Sequence, residues 1–425
     1  MKKIIQKIKS KLDNSYEHFY ILDLGNFSVK AALLEVDKNT NEGTILDITQ
    51  SPYPIDLPKV GDKKTEELKG LVDVIKNLFA DLKKPKNKSK TKKLIIGLSS
   101  ELIGGSNYSN VYTREKPDHP VDEREVKNMI HNMLLRAYED IRHKFTTESG
   151  YAETGVVLIN PTIQKLQIDG KDTQDPIGDK GKEIFASLFS AYAPNFHKEV
   201  VDRLSKELGF ATYELIYVPH AVFCALNKIK KDLHGLIVDM GGRSTRVVLA
   251  KKGKIENIKL FSFGGVSFTK RIAGAFEISD EEAESVKLRY INGDVSKQAK
   301  VFIDKLLQTE LDLFLGGFEL VLKDFSQAAF LPSDIYLYGG GGSITIMDAI
   351  IRKRDWKRDL IFPEKLKLHR VDVDYIKNVN FADNLKVGPQ HVSIVALADY
   401  AQDTYQQQSN VVNKILHRTL NLVNE

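Results

Sequence analysis

Two segments of the chain repeat one pattern of apolar and polar positions. In residues 235–250 an apolar run ends at Asp239-Met240-Gly241-Gly242, and a second apolar run follows a polar turn. The same order recurs in residues 20–36 around Asp23-Leu24-Gly25. Such a pattern predicts a β-hairpin in which glycine lets backbone N–H groups approach a bound anion closely. A single turn of this kind is also typical of an ordinary hairpin. Two copies in one chain predict two similar domains that face one nucleotide.

The other apolar patterns predict an alternation of strands and helices. Apolar residues at helical spacing predict a helix over residues 65–82 and another over residues 121–145, with Asp122 as its capping residue. Short apolar runs between turn residues predict strands. Further helices are expected at residues 196–208, 221–226, 288–325 and 392–400, and strands at residues 44–53, 94–98, 155–161, 165–168, 185–191, 213–218 and 334–338. This alternation predicts an α/β fold.

A glycine run predicts a second place where backbone meets a ligand. The strand expected at residues 334–338 leads into four glycines and a serine at residues 339–343, and a helix is expected at residues 346–351. Glycines between a strand and a helix N-terminus form a backbone nest on which a flat ring or a ribose can lie. A tight strand-to-helix turn is the alternative, although it does not require four consecutive glycines.

The predicted elements divide the chain into two α/β domains and an insertion. With 425 residues, 42% of them hydrophobic, the chain is long enough for two or more cores. The expected units are a basic amphipathic segment at residues 1–15, a first domain at residues 16–98 and 191–234, an inserted α+β subdomain at residues 99–190, a second domain at residues 235–402 with a helical small subdomain at about residues 267–328, and a linker and tail at residues 403–425.

The positive charge of the chain is concentrated in two stretches. Residues 1–12 contain five lysines and residues 83–93 contain seven, without an acidic residue in either, while the whole chain has a net charge of +5. The body of the protein is therefore acidic. Because residues 83–93 have no interleaved aromatic residue, we expect a solvated loop there and no nucleic acid as a partner.

Each end of the chain is a candidate contact with an anionic membrane surface. Residues 1–12 place isoleucine and leucine on one helical face and lysine on the other, which is typical of helices that lie on a membrane. A solvated or docked terminus is the alternative. The pattern of the tail at residues 411–425 is typical of a short amphipathic anchor or of a docked terminal helix. Because it has few cations, it is a weaker candidate for a membrane contact than residues 1–12.

Cysteine content and hydropathy favour the cytoplasm. Cys224 is the single cysteine of the sequence, which fits a reducing compartment. No apolar run approaches the length of a spanning helix, and no signal peptide is apparent. We therefore expect a cytoplasmic protein that lies peripherally on the inner face of the cell membrane.

The order of these motifs resembles the actin-like ATPase superfamily, and within it the FtsA family of bacterial cell-division proteins and its PilM relatives. The signals shared with the superfamily are the hairpins at Asp23 and Asp239 and the glycine run. The narrower FtsA signals are Asp169-Gly170, Asp175-Pro176-Ile177-Gly178, Gly181 and residues 281–287. The resemblance covers residues 18–400 and implies an actin-like ATPase fold, with two ribonuclease-H-like domains around a nucleotide cleft and an inserted α+β subdomain.

The resemblance implies that ATP binds between the two domains. Asp23 and Asp239 would hold Mg²⁺ through water and are the candidate catalytic carboxylates. The hairpins would take the phosphates, Glu284 and Lys287 would reach the nucleoside, and the glycine run would flank the adenine. The implied nucleotide-binding residues are Gly25, Asn26, Phe27, Lys30, Gly241, Gly242, Arg243, Ser244, Glu284, Lys287, Gly339, Gly340, Gly341, Gly342 and Ser343.

The resemblance also implies partners. Proteins of the FtsA family polymerise head to tail, bind the tail of a tubulin-like division protein and attach to the membrane through a C-terminal amphipathic helix. This sequence departs from that pattern, because the stretch after Lys287 is short and helical and the basic amphipathic face lies at the N-terminus. We therefore expect a self-assembling adaptor of cell division whose membrane contact lies at residues 1–12 or in the tail.

Hydrolysis is expected to be weak at most. The turn predicted at Val218-Pro219-His220 lacks the Glu or Gln with which actin-type enzymes orient the attacking water, so His220 is the remaining candidate. The main alternative function is that of a PilM-like cytoplasmic component of type IV pilus assembly, with a pilus-assembly peptide as partner. A sugar or acetate kinase would need a catalytic Asp near this turn, and the turn has none.

Overall fold

Two sheets with the same strand order form the two halves of the fold. A computed structural model describes residues 15–52, 64–87, 92–99, 101–149, 155–326, 330–344, 347–348, 351, 356, 360–406 and 410–424. The strands are β1 (Tyr16–Leu24), β2 (Ser28–Asp37), β3 (Gly43–Pro52), β4 (Lys92–Leu98), β5 (Gly104–Thr113), β6 (Val156–Ile168), β7 (Lys171–Asp172), β8 (Glu183–Pro194), β9 (Tyr213–Tyr217), β10 (Gly235–Met240), β11 (Thr245–Lys251), β12 (Lys254–Phe261), β13 (Asp334–Tyr338), β14 (Lys367–Arg370) and β15 (Val379–Phe381). The helices are α1 (Lys64–Asp81), α2 (Glu123–Ser149), α3 (Asn195–Glu207), α4 (Val218–Ile229), α5 (Gly265–Phe276), α6 (Asp280–Asn292), α7 (Lys297–Ser326), α8 (Val392–Gln406) and α9 (Val411–Asn424).

The repeated topology places the two Asp-x-Gly turns at equivalent positions. The first sheet has the order β15-β3-β2-β1-β4-β9 and the second has the order β12-β11-β10-β13-β14. In each, an antiparallel meander of three strands is followed by parallel strands beside its first strand. Asp23 and Asp239 each stand one residue before the end of their strand. The predicted α/β class is confirmed.

Burial on both faces explains why the first strands read as nearly continuous apolar runs. Ile21 and Leu22 on β1 point to opposite faces of the sheet, and both are fully buried. Helix α1 packs on β2 and β3, while α8 packs on β1 and neighbouring strands. Because both faces of the sheet are covered, neither face requires polar side chains, and the strands show no alternation of apolar and polar residues.

The inserted subdomain is a four-stranded antiparallel sheet packed on helix α2. Its strand order is β5-β8-β6-β7. Strand β5 was not predicted, because its sequence is polar and most of its side chains are half-buried or exposed. The two strands expected at residues 155–161 and 165–168 form one strand, β6, whose pairing with β8 shifts between Ile159 and Thr162. The capping role predicted for Asp122 is confirmed, since its Oδ1 accepts the Glu125 N–H at 2.8 Å.

The motif that carried the narrow resemblance builds a loop of the inserted subdomain. Asp169 Oδ1 accepts the backbone N–H groups of Lys182 and Glu183 at 2.9 and 2.8 Å. Gly170 and Gly178 adopt positive φ of 79° and 91°, which favours glycine. The loop therefore depends on these residues for its backbone geometry.

The end of the chain returns to the first domain, which corrects the predicted second domain at residues 235–402. Strand β15 pairs with β3 of the first sheet, and α8 packs on the same sheet. The predicted linker is also wrong at residues 403–406, where α8 continues to Gln406. Both errors arise because membership of a domain is decided by long-range packing, which the local pattern does not contain.

Helix α9 is docked on the inserted subdomain. Val412, Ile415 and Leu416 are buried in the core that α2 and β6 form. Asn424 completes the contact, donating through Nδ2 to Leu158 O at 2.8 Å and accepting the Leu158 N–H at 2.9 Å. Of the two alternatives for the tail, the docked helix is therefore the one observed, whereas residues 1–12 lie outside the described residues. Among the described helices, none combines the length and hydrophobicity needed to cross a bilayer.

The loop geometry predicts that Gly181→Ala destabilises the protein. A Cβ at Gly181 would lie 2.3 Å from Ile168 Cγ2 and 2.8 Å from Asp169 Oδ2, and the Lys182 N–H donates to that oxygen at 3.1 Å and holds it in place. We expect a loss of about 1–3 kcal/mol in the free energy of unfolding, measured by denaturant titration. The control is Gly274→Ala on helix α5, where a Cβ meets nothing within 4 Å. It should be neutral or gain about 1 kcal/mol, and equal effects of both substitutions would contradict the prediction.

Candidate functional site

The tips of the two Asp-x-Gly hairpins meet between the domains. Phe27 of the first hairpin packs against Gly242 of the second. A Cβ at Gly242 would lie 2.3 Å from Phe27 Cβ, so this contact requires glycine. Asn26 Nδ2 donates to Ser244 Oγ at 3.2 Å across the same boundary. The sequence assigned these four residues to one site, although the two pairs lie more than 200 positions apart. The fold brings them into contact.

The two turns have the same internal hydrogen bond. The Gly25 N–H donates to Ser28 O at 3.2 Å, and the Gly241 N–H donates to Ser244 O at 3.0 Å. In both turns a Cβ on the glycine would lie 3.1 Å from that acceptor oxygen. The equivalence supports the interpretation of the hairpins as two copies of one structural device. Arg243, the remaining predicted residue of the second tip, is exposed.

The carboxylate of Asp23 is buried and already has a positive partner. Lys30 Nζ donates to its Oδ2 at 2.8 Å, and Ser393 Oγ donates to the same oxygen at 2.5 Å. Lys30 and Asp23, which the sequence assigned to one site, are thus in contact. Ser393 lies at the start of α8 and was missed, because only the fold brings it to a residue 370 positions away.

The carboxylate of Asp239 is less well compensated. Burial raises its pKa to about 6; the charge of Asp23 acts in the same direction, while Arg246 and Lys30 act against it. The side chain keeps partial access to solvent and lies 3.0 Å from the Cβ position of Gly339. An incompletely neutralised carboxylate between glycine turns suits a hydrated Mg²⁺, which binds through one or two carboxylates and keeps several waters. Asp23 and Asp239 together fit that donor set.

Glu284 and Lys287 form a closed ion pair beside the second hairpin. Lys287 Nζ donates to Glu284 Oε2 at 2.7 Å, to Thr269 Oγ1 at 2.9 Å and to Gly265 O at 3.1 Å. Burial lowers the pKa of Lys287, and the charge of Glu284 opposes that shift. Ser279 and Glu282 form a capping box that fixes the start of α6, the helix that carries the pair. The ammonium group is therefore held in one position.

The glycine run is a turn that lies against the second hairpin. Gly339 has a φ of 94°, and a Cβ there would lie 2.4 Å from Met240 O. Gly341, Gly342 and Ser343 form a 3₁₀ turn. At Gly340 a Cβ would meet nothing within 4 Å, so this side of the turn is open. Of the helix expected at residues 346–351, the described residues 347, 348 and 351 are helical.

The glycine run and the ion pair converge on Gly265 at the start of α5. A Cβ at Gly265 would lie 3.5 Å from both Gly341 Cα and Lys287 Nζ. The Gly265 N–H donates to Gly241 O at 2.9 Å, which ties the helix start to the hairpin. Three separately predicted segments, the second hairpin, α6 and the glycine run, are therefore in contact around one residue.

Arg370 is a further residue that the sequence reasoning missed. It donates through Nη1 to Gly342 O at 2.5 Å and through Nη2 to Ile344 O at 2.8 Å and Asp348 Oδ1 at 2.7 Å. It lies at the end of β14, beside the strand that leads into the glycine run. An arginine that ends a strand gives no local signal of this positioning role.

His220 lies in the core and not on the cleft. It is fully buried in the first turn of α4, in place of the predicted open turn. Its ring stacks on Phe189 at 4.7 Å, and Nδ1 lies 3.1 Å from Asn160 Oδ1. Burial lowers its pKa to about 3. Because the ring is fully buried and in contact with Phe189 and Asn160, the expected catalytic role does not follow from the geometry.

The duplicated sheets, the facing hairpins and the insertion define the class of the molecule. The chain has the actin-like ATPase fold, as predicted from the motifs. The solved PilM–PilN type IV pilus biogenesis complex contains a similar chain, with a TM-score of 0.60 and 18% sequence identity over 91% of this chain and 97% of that one.

Within that class the chain is similar to FtsA, which confirms the resemblance inferred from the motifs. The family profile described as cell division protein FtsA matches residues 236–310, from the second hairpin into α7. FtsA of Enterococcus hirae is 23% identical over 356 residues, which is 76% of this chain and 73% of that protein. FtsA of Enterococcus faecalis is 22% identical over 422 residues, which is 89% of this chain and 85% of that protein.

The raised pKa of Asp239 predicts that Asp239→Asn stabilises the protein at neutral pH. A carboxylate whose pKa is higher in the folded state than its ordinary 3.8 costs stability as pH rises from 3.8 to about 6. The asparagine removes that cost, so we expect a gain of about 1–3 kcal/mol above pH 6.

Thermal unfolding of both proteins without nucleotide, at about pH 4 and about pH 7.5, measures this difference. The two melting temperatures should be similar at the lower pH and differ at the higher one. A variant that is less stable than the parent at both values would show that the carboxylate is well compensated.

Proposed function

We propose that the protein binds ATP with Mg²⁺ in the cleft between its two domains. The observation that carries the proposal is the meeting of two equivalent Asp-x-Gly hairpins at Phe27 and Gly242. Their backbone takes the phosphates. Asp239, with Asp23 beside it, holds the hydrated metal ion, whose charge completes the compensation that Asp239 lacks.

The nucleoside lies between the ion pair and the glycine run. Glu284 and Lys287 contact the ribose side, and the open side of Gly340 accepts the flat face of the base. Arg370 positions this turn through Gly342 O and Ile344 O. Gly339, Gly341 and Ser343 complete the wall.

The cellular role is that of an FtsA-like adaptor in bacterial cell division, which self-assembles head to tail on the inner face of the cell membrane. The support comes from the similarity to two enterococcal proteins named for cell division, each covered over more than two thirds of its length. The macromolecular partner is a tubulin-like division protein. ATP acts mainly as a ligand for conformation and assembly, and turnover is weak, because His220 is enclosed in the core.

The membrane contact lies in residues 1–12. These residues carry five lysines opposite an apolar face. The apolar face of α9 is occupied by the inserted subdomain, which leaves the N-terminal segment as the stronger candidate. An anionic surface attracts each lysine by about 1 kcal/mol.

A PilM-like role in type IV pilus assembly is the second candidate. It is favoured by the similarity of fold to a chain of the PilM–PilN complex. The docked state of α9 also fits a role in which the apolar face of this helix does not bind lipid. In that case the partner is a pilus-assembly peptide, and residues 1–12 do not bind vesicles.

We predict that Asp239→Ala abolishes ATP binding measured by calorimetry with Mg²⁺ present. The loss of a metal-holding carboxylate should reduce affinity by about a hundredfold or more. The matched control is Asp202→Ala, an exposed helical carboxylate paired with Lys198 outside the cleft. An unchanged affinity in Asp239→Ala, or an equal loss in the control, would remove the basis of the nucleotide assignment.

Sedimentation with anionic vesicles tests the membrane contact and separates the two cellular roles. The full chain should pellet, and the chain without residues 1–12 should remain in the supernatant. A chain without residues 411–425 serves as the control. This deletion exposes the core under α9, so pelleting without vesicles is subtracted, and the remainder should equal that of the full chain. Pelleting that depends on the tail would move the contact to α9, and no pelleting of any form would favour the pilus role. Raised salt should weaken the binding, since the attraction is screened.

A further inference from the structure

The hydroxyl group of Ser393 belongs to a set of three polar groups at the carboxylate of Asp23. Ser393 Oγ donates to Asp23 Oδ2 at 2.5 Å, and Lys30 Nζ donates to the same oxygen at 2.8 Å. Lys30 Nζ also lies 3.4 Å from Ser393 Oγ, at the outer limit of a hydrogen bond. Each of the three groups therefore contacts the other two.

The fold brings Ser393 to this carboxylate through a close approach of a helix to a sheet. Ser393 and Leu397 lie one turn apart on α8, so they share the face that packs on the first sheet. A Cβ at Gly97 of β4 would lie 2.3 Å from Leu397 Cδ1, so glycine at this position lets the helix approach closely. Before the helix, His391 Nδ1 accepts the Gly388 N–H at 3.1 Å, which fixes the entry of the chain into α8.

The two donors occupy one oxygen of the carboxylate and leave the other available. Asp23 Oδ1 accepts no hydrogen bond from any residue that the structure describes. Because Ser393 is uncharged, its hydroxyl group holds the carboxylate without adding a positive charge that would repel a metal ion. Burial lowers the pKa of the neighbouring His391, and the charge of Lys30 acts in the same direction, so this histidine adds no charge at neutral pH either.

We propose that Ser393 is a positioning residue for Mg²⁺ in the nucleotide cleft, an inference that rests on the proposed function. Together with Lys30, its hydroxyl group holds Asp23 so that Oδ1 is the acceptor for a water molecule of the hydrated ion. Groups that orient a carboxylate beside a metal ion contribute to the affinity for the metal without touching it. Loss of the hydroxyl group therefore weakens the metal ion more than the nucleotide.

Titration of Mg²⁺ against the full chain with a fluorescent ATP derivative tests this role. Nucleotide binding is measured at increasing Mg²⁺ and, separately, in EDTA. We expect Ser393→Ala to raise the Mg²⁺ concentration at half-maximal binding about tenfold and to leave binding in EDTA unchanged. Ser393→Thr keeps the hydroxyl group and should restore the parent value. Equal weakening with and without Mg²⁺, or a threonine variant as weak as the alanine variant, overturns the role, because packing would then explain the effect.

Two further variants complete the test. Ser205→Ala removes a buried helical hydroxyl group that donates to Phe210 O away from the cleft, and it should leave the Mg²⁺ dependence unchanged. Ser393→Cys keeps the size of the side chain and weakens the donor, so it takes the place of Ser393→Ala if that variant does not fold.

The outcomes separate this role from the proposed function. If the parent chain binds ATP with Mg²⁺ and neither Ser393→Ala nor Ser393→Cys changes the Mg²⁺ dependence, the role of Ser393 is overturned and the nucleotide site stands. Absence of ATP binding by the parent chain overturns the proposed function, and the role of Ser393 with it.

Discussion

The close approach of two hairpin tips is the constraint on which the arrangement of this molecule depends. Phe27 packs where Gly242 has no side chain, and Asn26 donates to Ser244 across the domain boundary. A Cβ at residue 242 would lie 2.3 Å from Phe27 Cβ, so a larger residue there would require this contact to shift. The contact lies at the tips of the two hairpins that carry Asp23 and Asp239, and the charge of Asp23 is one of the causes that raise the pKa of Asp239.

The two carboxylates of the cleft are compensated unequally, although the hairpins that carry them are equivalent. Asp23 is paired with Lys30, whereas Asp239 is left with a raised pKa. An incompletely compensated carboxylate costs folding free energy, and the proposed Mg²⁺ would reduce that cost. The two hairpins therefore differ in how their carboxylates are compensated, and the proposed Mg²⁺ site has Asp239 as its less compensated member. On the far side, Gly265 brings the ion pair and the glycine run to the same place.

The insertion and the chain end form a second centre of organisation. Helix α9 buries its apolar face against α2 and β6, and Asn424 closes the contact on Leu158. The loop signature at Asp169 to Gly181 supports this subdomain from the opposite end of β6. The motif that carried the narrow resemblance therefore has a structural role here. Its carboxylate accepts backbone N–H groups, Gly170 and Gly178 adopt positive φ, and Gly181 avoids a clash with Ile168.

The sequence by itself determined the α/β class, the two hairpins, the glycine run and most strands and helices, because apolar periodicity and glycine turns are local properties of the chain. Only the tertiary structure decided where distant segments meet. It returned residues 379–406 to the first domain, brought Ser393 to Asp23 and enclosed His220 behind Phe189. It also docked α9 instead of leaving an amphipathic tail free. These outcomes depend on packing between residues far apart in sequence, and the local pattern is the same whichever partner covers an apolar face.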